Sequence, residues 1–179
     1  MNEIALYAQK AVVPSVIVVI AIATYTDWRW RLIKNMLTVP AVVLGLLLHF
    51  LGSGWSGLTF ALLGLAVGFG LMMIPFVFGQ MGGGDVKLMA ALGSLLGAYA
   101  TMNVFLYTTL AGGLLAIVFA VFRKEGFKSL RRTWQLAKGL LVFQTVPEMK
   151  PEGEQSSTIP YGLAIATGTL TFLIFGKIV

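Results

Sequence analysis

An all-α membrane protein, a bundle of about six transmembrane helices with an amphipathic helix on its cytoplasmic interface, is the fold this sequence predicts. Three observations carry the expectation. Apolar residue types make up 58% of the chain and charged ones only 11%, whereas about a quarter of the residues of a soluble domain are charged. The apolar residues gather in runs near the roughly 20 that a spanning helix needs. The basic residues fall almost entirely on alternate connections between those runs, the pattern that orients membrane helices.

Six runs qualify, in order. Ala11–Thr26 is the first, closed by an acidic and basic cluster at Asp27, Arg29, Arg31 and Lys34. Met36–Leu51 follows and ends at the neutral turn Gly52–Ser56. Gly57–Phe78 is the third, carrying Gly64, Gly68 and Gly70. Val86–Ala100 stands behind the glycine-rich segment Gly82-Gly83-Gly84-Asp85 and carries Gly93 and Gly97. Asn103–Phe122 holds Gly112 and Gly113, and Ile159–Ile178 is the sixth. The second and fourth are short, which suits helices that end at a wet site inside a bundle. Small residues in the middle runs let helices approach closely in lipid, where dispersion replaces the hydrophobic drive.

Charge sets the expected orientation. Arg29, Arg31 and Lys34 follow the first run, Lys87 opens the fourth, and seven basic residues lie between Arg123 and Lys150. Only Lys10 and Lys177 fall on the other side. The positive-inside rule therefore puts both termini outside and the three basic loops, including residues 123–158, in the cytoplasm. Within that last loop, Phe127, Leu130, Trp134, Ala137 and Leu141 recur at helical spacing with Lys128, Arg131, Arg132, Gln135 and Lys138 between them. This predicts an amphipathic helix on the anionic inner leaflet. Pro147–Ser157 reads as a polar tether.

A length of 179 residues is consistent with one polytopic domain, residues 1–179. The net charge of +6 belongs to the cytoplasmic loops on this reading, so no nucleic-acid partner is expected. With no cysteine in the chain, disulfides, thiolate nucleophiles, iron–sulfur clusters and cysteine zinc sites are excluded together. The opening MNEIALYAQK lacks a basic stretch beside an apolar one, so no cleaved signal is expected. A single histidine, His49, and no HExxH motif argue against a zinc peptidase, and neither a metal nor a cofactor is expected. His49 and Ser53 provide no separate base or oxyanion hole, so His49 reads as an interfacial polar residue. Trp28, Trp30, Trp55, Tyr99 and Tyr161 fall at expected interfaces as an aromatic belt. Met72 and Met73 read as packing residues.

Of seven acidic residues, only Asp27 and Asp85 lie at the ends of expected spans, both on the cytoplasmic side. A carboxylate there is costly unless it is paired, hydrated or protonated. Two at similar depth can share a proton, one acting as base toward water and the other as acid toward a carbonyl. The plain alternative is a pair of helix caps or ion-pair partners, with Arg29 and Arg31 available to Asp27 and Lys87 to Asp85. The three glycines before Asp85 favour a sharp bend or close approach of a bound peptide. Asp85 is expected at a helix N-terminus and Asp27 near a helix C-terminus, so their dipole environments should differ and help keep the pair singly protonated.

These residues carry a resemblance. The segment GGGDVKLMAALG resembles the GxGD motif of the type IV prepilin peptidases, with Lys87-Leu88 after the acid. Asp27-Trp28-Arg29-Trp30-Arg31-Leu32-Ile33-Lys34-Asn35 is similar to their first motif, an aspartate followed six residues later by Ile-Pro-Asn, except that Lys34 stands where the family usually has proline. Ile159-Pro160-Tyr161-Gly162 resembles the element opening their last span. The three motifs stand in family order from residue 27 to residue 162.

The resemblance implies an aspartic endopeptidase with Asp27 and Asp85 as its catalytic pair. It implies as substrate the leader peptide of a prepilin or pseudopilin, cut on the cytoplasmic side of a prokaryotic inner membrane. Gly82, Gly83, Gly84 and Lys87, with Ile159, Pro160, Tyr161 and Gly162, are the substrate-holding candidates, the last four as a segment open to strand-like pairing with the leader. A helix-start role for Pro160 is the other reading. Many large family members have a cysteine-bearing domain and methylate the new terminus. Lacking cysteine, this chain looks like the short, peptidase-only form associated with tight-adherence pili. The alternatives are a noncatalytic small membrane transporter or pilus-assembly scaffold, and a GxGD peptidase of the presenilin or signal-peptide-peptidase type. A transporter would show mid-membrane charge or internal repeats, and Ile159-Pro160-Tyr161 matches the third motif of the presenilin type poorly.

Overall fold

The first apolar run is longer than its hydropathy suggests, because polar helix formers extend it at both ends. In the computed structural model, which describes residues 3–78, 81–122 and 161–176, helix α1 covers Glu3–Trp30. It stops where Arg31 takes a φ of 51° and donates its N–H to the Asp27 carbonyl at 2.8 Å. Left-handed backbone cannot continue a helix of L-residues. Ser15 and Thr24 turn their hydroxyls onto the carbonyls of Ala11 and Ile20, so neither exposes an unpaired polar group on an apolar helix.

Four more helices follow: α2 Asn35–Val77, α3 Gly83–Leu96, α4 Ala98–Phe122 and α5 Tyr161–Phe175. Five are thus described where six spans were expected, because the second and third expected runs follow one another in α2 across a kink, with no loop between them. That element is not straight. Ser53 (φ −144°, ψ 17°) and Gly54 (φ 59°, ψ −137°) leave helical geometry, and the ring centroids of His49 and Phe60 lie 5.0 Å apart. A straight helix would separate residues eleven apart by about 16 Å, so α2 folds back on itself. A Cβ on Gly57 would strike the His49 carbonyl, which is why the two legs can close so tightly. The expected amphipathic helix over 127–141, the tether over 147–157, and Ile159 and Pro160 lie outside the described residues.

The fourth and fifth expected runs also differ from the helices. The break falls at Gly97 (φ 81°) rather than after Ala100, and the place of a Cβ on Gly97 is taken by the Phe60 ring. Helix α3 has 14 residues and is buried at Asp85, Val86 and every position from Leu88 to Leu95. A helix that is apolar all round belongs in the interior. At about 1.5 Å per residue it is shorter than the ~30 Å hydrocarbon core.

Glycines set the packing around it. Gly64 and Gly93 approach carbonyl to backbone, Gly68 meets the Met89 carbonyl, and a Cβ on Gly45 would lie 2.5 Å from Ser94 Oγ. Helix α3 therefore runs between the two legs of α2, parallel to the first and antiparallel to the second. Helices α4 and α5 are antiparallel, with Thr108 against Gly168 and Gly112 against Tyr161. The core joins Val16, Val19, Ile20 and Ala23 of α1 with Met72, Leu88, Leu92, Leu95, Val104 and Ile165.

Outward, Ile17, Val18, Ile22, Val43, Leu47, Leu62, Leu63, Leu110 and Ile174 are exposed. Among the described residues, two helical stretches, Leu6–Trp30 and Asn35–Val77, are long and apolar enough to cross a membrane, and only 28% and 22% of their most apolar windows are buried. Such surfaces fit lipid rather than the interior of a soluble core.

Candidate active site

The alternation of helix direction brings residues far apart in sequence to one end of the bundle. The end of α1, the loop 31–34, the start of α2, the start of α3 and the start of α5 meet there. The opposite end holds the turn at Ser53–Gly54, with Gly52 beside Ala8 and the His49 Nε2 hydrogen-bonded to the Leu95 carbonyl at 2.8 Å. His49 thus serves a carbonyl in the last turn of α3, remote from both acids, and its ring packs on Phe60.

Asp85 is the third residue of α3 and only 8% exposed. Its Oδ2 accepts the Gly82 N–H at 3.2 Å, while its own N–H donates to the Gly82 carbonyl at 3.1 Å. The carboxylate so caps the helix that carries it, satisfying a donor that helix termini leave without a partner. None of Gly82, Gly83 and Gly84 has a positive φ, so the triplet is not a sharp left-handed turn. A Cβ on Gly84 would instead lie 3.0 Å from Ile33 Cβ and 3.4 Å from its backbone N and O. Glycine there admits the α1–α2 loop, and Ile33 is buried by that approach.

Asp27 lies in the last turn of α1 and is also 8% exposed. Its Oδ2 accepts the N–H of Gly162, in the first turn of α5, at 2.9 Å. A Cβ at position 162 would stand 2.6 Å from that oxygen, so only glycine lets the two elements come this close. The expected contrast between a carboxylate at a helix N-terminus and one at a C-terminus does not hold. The Asp27 side chain leaves its own helix end and reaches the N-terminus of α5, so both acids meet N-terminal amides.

The two acids lie within electrostatic reach of each other, Arg31 within reach of Asp27, and the half-buried Tyr161 phenol within reach of Asp85. Lys87, expected beside Asp85 or the substrate, donates instead to Asn35 Oδ1 at 2.9 Å. Lys34 caps α2 with extended backbone (φ −77°, ψ 145°) and holds its ammonium 5.2 Å from the Trp30 ring centroid. Of the expected aromatic belt, Trp28, Trp30, Trp55 and Tyr99 are exposed, whereas Tyr161 turns inward against Gly112. Asn35 is the residue that sequence reasoning passed over: it was visible only as the end of a motif, and its lysine partner is 52 positions away.

Of the substrate-holding candidates, Gly82, Gly83, Gly84, Lys87, Tyr161 and Gly162 stand at this end of the bundle, and Ile159 and Pro160 lie outside the described residues. No curated protein and no solved structure matches the chain. The model of the type IV leader peptidase family matches residues 15–117, more than half of the chain and the stretch that contains both acids. A membrane protein with two buried carboxylates gathered at one end of its helices, this chain belongs to the type IV leader peptidase family and is a protease of that general kind.

Proposed function

We propose that the chain is an aspartic endopeptidase that removes the leader peptide of type IV prepilins or pseudopilins, with Asp27 and Asp85 as its acid/base pair. The observation that carries the reading is the convergence of Asp27, Asp85 and Gly162, from three separate motifs, on one buried end of the bundle. Two buried carboxylates within electrostatic reach of each other disfavour double ionisation and share one proton. The ionised member takes a proton from water as it attacks the scissile carbonyl, and the protonated member gives its proton to the carbonyl oxygen. A proton returned to the leaving nitrogen breaks the C–N bond. General acid–base catalysis of this type contributes about 10²–10⁴-fold.

The basic residues beside the acids, Arg29, Arg31, Lys34 and Lys87, support a cytoplasmic position for this end. On that topology the two legs of α2, with α1, α3, α4 and α5, make six passes, both termini are outside, and residues 1–179 act as one domain. Residues 127–141 then lie on the anionic inner leaflet of a prokaryotic cytoplasmic membrane. On this reading Gly82, Gly83, Gly84 and Tyr161, which stand at the same end of the bundle as the acids, act with Ile159 and Pro160 to hold the unwound leader junction. The activity proposed is that of a peptidase without methyltransferase activity, as in the short form associated with tight-adherence pili.

Co-expression with a candidate pilin tests the reading. Wild type is expected to cut the leader and leave an unmethylated terminus, while Asp27→Asn and Asp85→Asn insert normally and cut nothing. Robust processing by either purified variant overturns the pair. A wild type that cuts no leader but moves an ion across vesicles favours the transporter class instead. Because one shared proton is needed, activity should fall on both the acid and the alkaline side of its optimum.

A further inference from the structure

The contact between Gly162 and Asp27 joins residues 135 positions apart and is buried. It differs in kind from a site waiting for a ligand, because the Gly162 N–H is already engaged. On the proposed peptidase reading, on which this inference rests, the segment at 159–162 holds the substrate. The geometry at Gly162 points elsewhere. Its N–H is directed at an acid, its Cα is buried, and the space a side chain would fill is occupied by Asp27 Oδ2, Cβ and Cγ at 2.6, 3.0 and 3.1 Å.

We infer that Gly162 is a positioning residue: its backbone N–H holds Oδ2 of Asp27 and leaves Oδ1 as the oxygen that works on water. Three facts support this. First, α5 is anchored independently of α1, since Tyr161 packs on Gly112 and Gly168 packs on Thr108 of α4. The direction of the N–H is therefore set by the α4–α5 pair and imposed on the acid. Second, Asp27 has a competing partner in Arg31, which follows it in an exposed loop; a short aspartate side chain without the amide would turn toward that charge. Third, Asp85 is held in the same way, one oxygen on the N–H of Gly82. Each acid thus keeps one tethered oxygen, and the pair that meets water is reduced to one oxygen from each.

The decisive experiment removes the donor without adding bulk. Glycolic acid placed at position 162 of the full chain during cell-free synthesis turns the amide N–H into an ester oxygen. The expected result is a loss of about tenfold to hundredfold in kcat with KM within about twofold of wild type. Gly162→Ala, which keeps the donor but adds the clash, should lose at least as much in kcat. An unchanged kcat for the ester, or a rise in KM alone, overturns the inference in favour of a substrate-holding role.

A second readout is independent of cleavage. The chain has only two aspartates, so in an Asp85→Asn background carbon-13 aspartate labels Asp27 alone. Its carboxyl infrared band should shift between the amide and ester forms, and an unshifted band refutes the contact even if the ester chain fails to cleave. A wild type that cuts no leader sinks the peptidase reading itself, while the band still reports whether Gly162 holds the acid.

Discussion

Asp85 and Asp27 are equally buried, yet they are housed by different physics. Asp85 is held by residues within three positions of itself: its own helix start supplies the donor, and the contact forms whenever α3 forms. Asp27 is held by an amide at the far end of the sequence, and that contact exists only when α1, α4 and α5 have all packed. One acid is placed by a local motif and the other by the tertiary fold. A lesion near Asp85 should therefore act through the shape of one turn, and a lesion near Asp27 through the fit of whole helices.

The largest effects should treat the two acids alike. Asp27→Asn or Asp85→Asn should each lower kcat/KM for leader cleavage by at least about 10³-fold, and the double variant by no more than either alone. A large difference between the single variants would break the symmetry of a shared proton. The next test separates the acids. Gly162→Ala should cost about 1–3 kcal/mol of stability by overpacking, read as a loss of thermal stability in detergent. Gly82→Ala, with φ −83° and its nearest neighbour 3.6 Å away, should be near neutral. Equal costs would mean that the two donor glycines are housed alike after all.

Gly84→Ala falls between these, since Ile33 must give way by a few tenths of an ångström. A several-fold loss of kcat is expected, recovered in part when Ile33→Ala supplies the space. Smaller still, Lys87→Met and Asn35→Ala should each cost about 0.5–1 kcal/mol, and the double variant about the same as one of them, because an exposed hydrogen bond is counted once. Full additivity would show that the 2.9 Å contact couples nothing. Lys34→Pro should be the mildest. Its φ of −77° already suits proline, so a gain in chain stiffness of about 0.4–1 kcal/mol offsets the lost contact of its ammonium with Trp30.

Much of this was legible in residues 27–35, 82–88 and 159–162. Spacing and residue type singled out both acids and set the order of the motifs, and the structure gathers the two acids at one end of the bundle. The location of the turn at Gly52–Ser56 was legible too. That its flanking runs join in one element was not, because it takes only two non-helical residues, Ser53 and Gly54, to reverse the chain. The break at Gly97 was missed because hydropathy runs across it; the signal, a glycine whose missing Cβ admits Phe60, depends on a residue 37 positions earlier. The glycines before Asp85 suggested a bend, and only the position of Ile33 explains Gly84.

By itself, then, the chain's order of residues settled what is local or statistical: which stretches are apolar enough to leave water, where charge collects, which two carboxylates are available, and that Asp85 stands at the start of its own helix. Packing alone decided what depends on distance between helices: that Asp27 borrows an amide from α5, that Lys87 reaches Asn35, and that α3 fits between the legs of α2. The reason is range. Hydropathy and capping act within one or a few turns of helix, whereas a 2.9 Å hydrogen bond across 135 residues exists only after close-packed glycines have set how near those helices come.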